Sequence, residues 1–438
     1  MNRLVLISGL MLFSLFFGAG NLIFPPMLGH QAGVDMWPAM AGFIVTGVLL
    51  PLLAVIVVAY FDEGVERMGR PVHPVFGMVF AVLVYLSIGA LYGIPRAANV
   101  AYEVGTANLL AVQNTSTLIG FSVVFFMIVF LVALNPAKIV DSIGKYLTPI
   151  LLIAITLLSL FAVFRPETPL QPAQGGYGSA PVVSGILEGY FTMDLIGALA
   201  FSMVIISGLK YSGVTERAGI VSHVLKAGVL SSVLLMVIYL ALAYIGGTTA
   251  RDGYENGTDI LTYSSIRLFG SSGDMIFSAI VVVACLTTCI GLVNACSEFG
   301  SRHYSRIPYK VYVFVFTAAG FLFTTLGLNT ILSLAAPLLT FLYPVSIVLV
   351  VVSFLNIFIH FEMKHAYVLP VVTTIPISIL EIIHTNGLLE MEAMYMALPL
   401  SEVSLGWLLP FAAMTMIGLA VDWRRANLID AREHQTVY

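Results

Sequence analysis

The sequence predicts an all-α membrane protein with twelve transmembrane helices, and three observations support this fold class. The 438 residues are 59% hydrophobic and only 10% charged, with a mean hydropathy of +0.99, far from the balance of a soluble domain. Apolar runs of about 18–27 residues recur along the chain, the length that a bilayer requires. Basic residues collect in alternate loops, as expected when a chain crosses a membrane repeatedly.

The apolar runs define twelve candidate spans. Their predicted limits are 4–28, 37–60, 74–102, 117–134, 146–164, 186–209, 226–246, 274–297, 310–328, 334–359, 366–384 and 404–421. The loops between them carry little independent machinery, and no nucleotide-binding or Walker motif is present in the sequence. We therefore interpret residues 1–438 as a single transmembrane domain.

The distribution of positive charge predicts the orientation. With a cytoplasmic N-terminus, fifteen lysines and arginines fall on the inside and three on the outside. The inside set is Arg3, Arg67, Arg70, Lys138, Lys145, Lys210, Arg217, Lys226, Arg302, Arg306, Lys310, Lys364, Arg424, Arg425 and Arg432, and the outside set is Arg165, Arg251 and Arg267. This asymmetry follows the positive-inside rule and places both termini in the cytoplasm.

The first span is interrupted at residues 14–26, Ser-Leu-Phe-Phe-Gly-Ala-Gly-Asn-Leu-Ile-Phe-Pro-Pro. Two glycines, an asparagine and two prolines are poor choices for an unbroken helix. Because irregular backbone at membrane depth must be buried in protein or line a cavity, the break predicts a ligand site near the midplane, as in secondary transporters. The alternative is that Gly18 and Gly20 only let a neighbouring helix pack closely.

A linker rich in Pro, Gly and Gln, residues 165–181, divides the first ten spans into five plus five. This division predicts two inverted repeats, 1–164 and 186–359, followed by two additional helices and a short cytoplasmic tail in 360–438. Inverted repeats would break the sixth span in the same way as the first.

The sixth span places Thr192, Asp194 and Gly197 within an apolar run. An ionisable residue at this depth is costly and is a functional candidate by default. Asp194 either contacts a ligand directly or pairs with Arg96 of the third span, and the two roles are compatible.

Residues 16–29, Phe-Phe-Gly-Ala-Gly-Asn-Leu-Ile-Phe-Pro-Pro-Met-Leu-Gly, resemble the signature of bacterial branched-chain amino acid:cation symporters, the LIVCS family. Ile94-Pro-Arg-Ala and Gly189-Tyr-Phe-Thr-Met-Asp194 are similar to that family too. Its superfamily, amino acid–polyamine–cation, has the five-plus-five inverted repeat of the bacterial leucine transporter. The resemblance implies that fold, with discontinuous helices 1 and 6. It also implies import of leucine, isoleucine and valine with sodium, or with a proton in some relatives, across a bacterial inner membrane.

A zwitterionic amino acid in such a site needs partners for both charges. The unwound first helix offers amides and a positive helix end to the substrate carboxylate. Carbonyls of the sixth span, with the carboxylate of Asp194, would accept from the substrate ammonium. The predicted substrate-binding residues are Ala19, Gly20, Asn21, Leu22, Phe191, Thr192, Met193 and Asp194. Asn21 could instead only brace the unwound turn.

The eighth span contains Ala284-Cys-Leu-Thr-Thr-Cys-Ile-Gly, which resembles the sodium-binding motif of the leucine transporter's eighth helix. The resemblance implies five sodium ligands: the Ala284 carbonyl, the Thr287 and Thr288 hydroxyls, and the Ser14 and Phe17 carbonyls. Neutral oxygens suit a hard monovalent cation, whereas a cage of carboxylates would suggest calcium. The alternative is that both threonines hydrogen-bond back to their own helix. No other cofactor is expected.

Two rival interpretations remain. A proton-coupled carrier or exchanger of the same superfamily would share the fold but not the dependence on sodium. An intramembrane enzyme would need convergent catalytic groups, whereas Arg96, Asp194 and Glu381 fall in three different spans. A receptor would be expected to carry a signalling module, and the segment after Asp422 is short. The partners expected are the amino acid, sodium and the lipid bilayer, with no nucleic acid.

Overall fold

The computed structural model describes residues 3–61, 64–106, 114–135, 148–250, 253–254, 256–386 and 392–436. Within these ranges every regular element is helical, which confirms the predicted all-α class. Several predicted features lie outside the described residues: Lys138, Lys145 and Arg251 of the charge analysis, the start of the fifth span at 146–147, and the last two residues of the tail.

The first half of the chain contains nine α-helices in the described residues. They are α1 (Arg3–Phe16), α2 (Ala19–Ala32), α3 (Met36–Ile44), α4 (Leu50–Phe61), α5 (Val65–Gly69), α6 (Pro74–Leu86), α7 (Gly93–Thr106), α8 (Thr115–Ala133) and α9 (Thr148–Phe164). Two π-helical turns, Val45–Leu49 and Ser87–Leu91, connect α3 to α4 and α6 to α7.

The second half contains eleven more in the same described ranges. They are α10 (Gly176–Ser179), α11 (Pro181–Phe191), α12 (Asp194–Tyr211), α13 (Arg217–Gly247), α14 (Gly257–Phe269), α15 (Ser271–His303), α16 (Tyr309–Thr324), α17 (Leu328–Phe358), α18 (His365–Thr385), α19 (Glu392–Met396) and α20 (Leu408–Thr436). Short 3-10 turns occur at Gly33–Asp35 and Ser401–Val403.

Eight helical stretches of the described chain are long and apolar enough to cross a membrane. They are Ala19–Phe61, Pro74–Thr106, Thr115–Ala133, Asp194–Tyr211, Arg217–Gly247, Phe277–His303, Pro337–Phe358 and His365–Thr385, and Arg3–Phe16, Ile155–Phe164 and Tyr309–Thr324 are shorter and apolar. Each of the twelve predicted spans coincides with at least one described helix. The count of twelve crossings stays a prediction.

Both breaks predicted from the sequence are present. In the first span α1 ends at Phe16 and α2 begins at Ala19. In the sixth span α11 ends at Phe191 and α12 begins at Asp194. The prediction of discontinuous helices 1 and 6 is therefore confirmed.

Contacts within the chain define two compact units. The first covers Met1–Ala59 and Tyr85–Ala335 and contains both broken helices. Within it, α2 and α1 pack along α13, and α7 packs along α15. Near the first break, Phe13, Phe17 and Leu22 are fully buried. All residues of the candidate site described below belong to this unit.

The second unit covers Tyr60–Val84 and Ala336–Tyr438. Its main packing is between α18 and α20. Asp422 of α20 accepts hydrogen bonds from the amides of His365 (3.1 Å) and Ala366 (2.9 Å), so it caps the start of α18. A carboxylate at a helix N-terminus satisfies free amides and stabilises the helix dipole.

The predicted division into repeats 1–164 and 186–359 stays a prediction.

Candidate functional site

The break in the first span is built from Phe17 and Gly18. The Phe17 amide still donates to the Phe13 carbonyl at 2.7 Å and extends α1, whereas Gly18 is extended, with φ −121° and ψ −156°. The Gly18 amide donates to Asn21 Oδ1 at 3.2 Å, so the asparagine closes the first turn of α2. The amides at the start of α2 point to the break, because the first turn of a helix leaves its N–H groups without intrahelical acceptors.

The break in the sixth span is built from Thr192 and Met193. Met193 adopts a left-handed conformation (φ 68°, ψ 11°), which costs a non-glycine residue about 1–3 kcal/mol and is concentrated at functional sites. Thr192 Oγ1 donates to the Gly189 carbonyl at 2.9 Å and accepts from the Asp194 amide at 3.3 Å. One threonine side chain thus bridges the two half-helices.

A buried polar network joins the two breaks. Asn21 Nδ2 donates to Asp194 Oδ2 at 2.6 Å and also to the Tyr239 hydroxyl. The Tyr239 hydroxyl in turn donates to Asp194 Oδ2 at 3.1 Å. All three side chains are at least 96% buried, so the hydrogen bonds compensate the cost of removing a carboxylate from water. Asn21 therefore braces the break and contacts the predicted site at the same time.

Arg96 of α7 holds the other side of the sixth-span break. Its Nη1 donates to the Phe191 carbonyl and to the Tyr92 hydroxyl, each at 3.0 Å, and its Nη2 donates to the Thr192 carbonyl at 3.3 Å. The guanidinium carbon lies 4.8 Å from the centre of the Tyr92 ring, a cation–π contact. Among the described residues Arg96 forms no direct ion pair with Asp194 or any other carboxylate. It binds the backbone just before Asp194 instead.

A small cavity of about 40 Å³ lies where the two breaks meet. It would hold about three water molecules. The predicted site residues that line it are Ala19, Gly20, Asn21, Arg96, Thr192, Met193, Asp194 and Thr288. The predicted residues Ser14, Phe17, Leu22, Phe191, Ala284 and Thr287 do not line it. Eight of the fourteen predicted site residues thus line one cavity, and they come from four helices and the break of the sixth span.

The threonine pair of α15 faces the end of α1. Thr287 Oγ1 lies 3.2 Å from the Ser14 carbonyl and 2.9 Å from the Ala284 carbonyl of its own helix. Thr288 Oγ1 lies 3.3 Å from the Leu15 carbonyl. Three of the five predicted cation ligands, the Ser14 and Ala284 carbonyls and the Thr287 hydroxyl, are therefore adjacent. The Leu15 carbonyl, and not that of Phe17, is the one within hydrogen-bond distance of Thr288.

The alternative that both threonines bond back to their own helix describes only one of them. Thr287 reaches the Ala284 carbonyl three residues earlier, whereas the hydrogen bond of Thr288 crosses to α1. The hydroxyl of Ser14 is fully buried and has no hydrogen-bond partner in the described part of the chain. Unsatisfied buried hydroxyls are unfavourable, so this region has spare capacity to coordinate a ligand.

Sequence reasoning missed Tyr239. The residue stands in an apolar run, where a tyrosine is unremarkable, yet it shares one face of α13 with Gly228, Ser232 and Leu235 at helical spacing. A stripe of small and polar residues on one helix face indicates a buried interface in a membrane protein. That spacing could have assigned Tyr239 to the interior.

Sequence reasoning also left the apolar walls unnamed. They come from the π-helical turn Ser87–Leu91 and from α7, α12 and α15, and include Ile88, Ala97, Phe201 and Leu292. Phe201 makes an edge-to-face contact with Phe16 at 5.9 Å, which fixes one wall against the first break. Nothing in their sequence separates these residues from the many other apolar residues of the spans.

Two broken helices that meet around a buried cavity are typical of secondary transporters. The sequence model described as branched-chain amino acid transport protein matches residues 1–425, so the chain belongs to this family. It is 40% identical to the branched-chain amino acid permease BraB of Bacillus subtilis over 419 residues, 94% of each chain. It is 39% identical to the permease BrnQ of Corynebacterium glutamicum over 439 residues, covering 100% of this chain and 99% of the relative. BrnQ of Escherichia coli K12 is 36% identical, with 97% and 96% covered.

Solved structures support the fold. A manganese transporter of Eremococcus coleocola matches with a TM-score of 0.61 at 16% identity, covering 96% of this chain and 95% of that one. Mhp1, a nucleobase-cation-symport-1 family transporter, matches with a TM-score of 0.60 at 11% identity, with 96% and 92% covered. The leucine-transporter-like fold class predicted from the sequence is confirmed. Since the relatives are named as permeases, the chain is a transporter and not an enzyme.

Proposed function

We propose that this protein imports leucine, isoleucine and valine together with sodium by alternating access. The proposal rests on one observation above all: the two helix breaks, Arg96 and Thr288 of α15 line a single buried cavity, and Thr287 contacts the end of α1 beside it. Relatives that are 36–40% identical over nearly their whole length are named branched-chain amino acid permeases, which supports the substrate class.

The site offers groups of both signs to a zwitterion. The start of α2 presents the amides of Ala19 and Gly20, with the positive end of the helix dipole, to the substrate carboxylate. Asp194 presents a carboxylate to the ammonium group. The Phe191 and Thr192 carbonyls already accept from Arg96, so a second cation there would meet like charge. We therefore assign the ammonium to Asp194 before these carbonyls.

The apolar walls select the side chain. Ile88, Ala97, Phe201 and Leu292 present hydrocarbon and no hydrogen-bonding side-chain group. A methylene in such a pocket changes binding by only about 1–3 kcal/mol, so the three branched-chain amino acids should be separated weakly. Polar amino acids should be rejected more strongly, because their side chains would lose hydration without gaining a partner.

Sodium is assigned to the oxygens between α1 and α15. Thr287, Thr288 and the carbonyls of Ser14 and Ala284 form a set of neutral oxygens, which suits a hard monovalent cation. The same stretch of chain would contact both ligands, because Ser14 lies three residues before the break whose following amides would bind the carboxylate. Sodium would thus stabilise the conformation of α1 that the amino acid requires.

Transport requires the half-helices to move. A cavity of about 40 Å³ holds about three water molecules and is therefore too small for leucine, which has many more non-hydrogen atoms. The half-helices of the two broken spans would separate to admit the substrate from one side and then from the other. We place the protein in the bacterial inner membrane with both termini in the cytoplasm, from the distribution of its basic residues.

The test is uptake of labelled leucine into proteoliposomes under separately imposed sodium and proton gradients. The proposal expects accumulation driven by inward sodium, inhibition by excess isoleucine and valine, and little inhibition by serine. Folded protein that accumulates leucine under neither gradient would contradict it.

One observation favours a second candidate, a proton-coupled carrier of branched-chain amino acids. Asp194 is a buried carboxylate that bridges both broken helices, and such a group could carry a proton between the two sides. The same liposomes separate the candidates. Accumulation that follows the proton gradient in sodium-free buffer, and that is lost in Asp194→Asn, would favour the proton.

A further inference from the structure

Arg96 has an unusual environment for a cation in a membrane interior. Its side chain is 93% buried and it lines the cavity, yet the described part of the chain gives it no direct carboxylate partner. Its acceptors are two carbonyls and one hydroxyl, all neutral. Buried charges in proteins are normally paired with an opposite charge or a ligand.

The Arg96 guanidinium has more N–H donors than the acceptors just named can use. Of its five N–H groups, three are accounted for by the Tyr92 hydroxyl and the Phe191 and Thr192 carbonyls. Nε is buried and has no acceptor among the described residues. Nε and Nη2 lie on the same edge of the planar group, the edge that binds a carboxylate through two parallel hydrogen bonds.

This edge lies beside the first break. A Cβ placed on Gly20 would be 3.0 Å from Nη2, so the absence of a side chain there is what lets the guanidinium approach α2. The amides of Ala19 and Gly20 begin α2 at the same point. Asp194 is meanwhile engaged by Asn21 and Tyr239. One positive and one negative group therefore face the cavity without neutralising each other directly.

We propose that Arg96 binds the carboxylate of the transported amino acid through its Nε–Nη2 edge, together with the amides of α2. This inference rests on the proposed function, since it assigns one group of the same site. It makes Arg96 a substrate-binding residue and not only a clamp on the sixth-span break. The site then requires a free carboxylate in its substrate, in addition to an apolar side chain.

The experiment compares two ligands by calorimetry on the purified full-length protein in sodium. Leucine carries both charges, and leucinamide carries only the ammonium. In the unmodified protein we expect leucine to bind at least tenfold more tightly than leucinamide. In Arg96→Gln, leucine affinity should fall by roughly 10- to 150-fold, the range for lost hydrogen bonds to a charged group.

Leucinamide gives the decisive contrast, because it has a net positive charge. Removing the Arg96 charge should leave the affinity for leucinamide unchanged or raise it, whereas the affinity for leucine should fall. A residue that only holds the backbone of the break would weaken both ligands alike when it is replaced. Equal weakening in Arg96→Gln, or unchanged leucine affinity, would overturn the proposal.

Two further variants serve as a second test and as a control. Arg96→Lys keeps the charge but loses the planar edge, so the ratio of leucine affinity to leucinamide affinity should fall about tenfold. If Arg96→Gln does not fold, an unchanged affinity ratio in Arg96→Lys overturns the proposal. Asn99→Ala is the control on the same helix, where the side chain donates to the Pro95 and Thr324 carbonyls away from the cavity. Its ratio should stay as in the unmodified protein.

The outcomes also separate this inference from the function on which it rests. Unmodified protein that takes up no leucine under either gradient would remove the proposed function. A normal ligand ratio in folded Arg96→Gln would remove only the role of Arg96.

Discussion

The two helix breaks reach the same cavity by different physical means. The first break uses Gly18 in an extended conformation without strain, and its own Asn21 closes the turn. The second break uses Met193 in a left-handed conformation, which a side chain disfavours. Arg96 of α7 stabilises it by donating to the Phe191 carbonyl, and Thr192 stabilises it from within the break by donating to the Gly189 carbonyl. One break is therefore encoded locally, whereas the other depends on a distant helix.

The difference suggests a division of labour. A break made by glycine can open and close at little cost, because several backbone conformations are accessible to it. A strained residue persists only where its surroundings over-determine it. We therefore expect the first break to be the more adaptable of the two and the second to be the more rigid.

The largest effect is expected where the breaks are joined. Asp194→Ala would leave the buried donors of Asn21 and Tyr239 without their acceptor and would remove the charge assigned to the ammonium. Losing one partner of a buried charged group costs about 3–5 kcal/mol, so leucine uptake should fall by more than about 100-fold. Initial uptake rates in proteoliposomes measure this.

Tyr239→Phe is the matched control for that variant. It removes the hydroxyl that donates to Asp194 and accepts from Asn21, and it keeps the ring that contacts Phe17 and Phe43. Its uptake should fall by only about 5- to 10-fold, in line with a net loss of about 1 kcal/mol while the carboxylate is kept. If both variants were equally impaired, the network and not the carboxylate would carry the effect.

The contrast between the breaks also explains what the sequence could predict. The first break can be predicted from residue type, because the apolar run contains the helix-breaking residues Gly18, Gly20 and Asn21. Met193 is not a helix-breaking residue type, so the break in the sixth span was predicted only from the expected symmetry of the repeats and from Asp194. The role of Arg96 at the Phe191 and Thr192 carbonyls, like that of Tyr239, depends on which helices pack together, and residue type alone does not determine that.

The next effect concerns sodium at the first break. Thr288→Ala removes a hydroxyl that faces the Leu15 carbonyl and lines the cavity. The sodium concentration for half-maximal uptake should rise by roughly 10- to 100-fold, as for one lost contact to a charged ligand. Thr288→Ser keeps the hydroxyl and should stay within about threefold of the unmodified protein. Equal sodium dependence in all three proteins would remove Thr288 from the cation site.

A smaller effect is expected at Gly18. A Cβ there would lie 2.6 Å from Thr288 Oγ1, so Gly18→Ala forces the threonine hydroxyl to turn away. Because a side chain can yield where backbone cannot, we expect a cost of about 1 kcal/mol, or roughly fivefold in sodium affinity. The penalty should be smaller in the background of Thr288→Ala, where no hydroxyl is left to displace and only the Cβ of residue 288, at 3.2 Å, remains close. A full penalty in both backgrounds would assign it to the backbone of the break.

The smallest effect tests the strain at the second break. Met193→Gly places at φ 68° the residue that adopts this conformation most readily, so local strain is relieved. The gain is offset by the greater entropy of glycine in the unfolded chain and by the loss of a buried side chain. We expect thermal stability in detergent to change by no more than about 1 kcal/mol, while Met193→Val, which is β-branched, should destabilise by about 1–2 kcal/mol. If valine were tolerated as well as glycine, Arg96 and Thr192 would not hold this break in a unique conformation, and the proposed difference between the two breaks would be wrong.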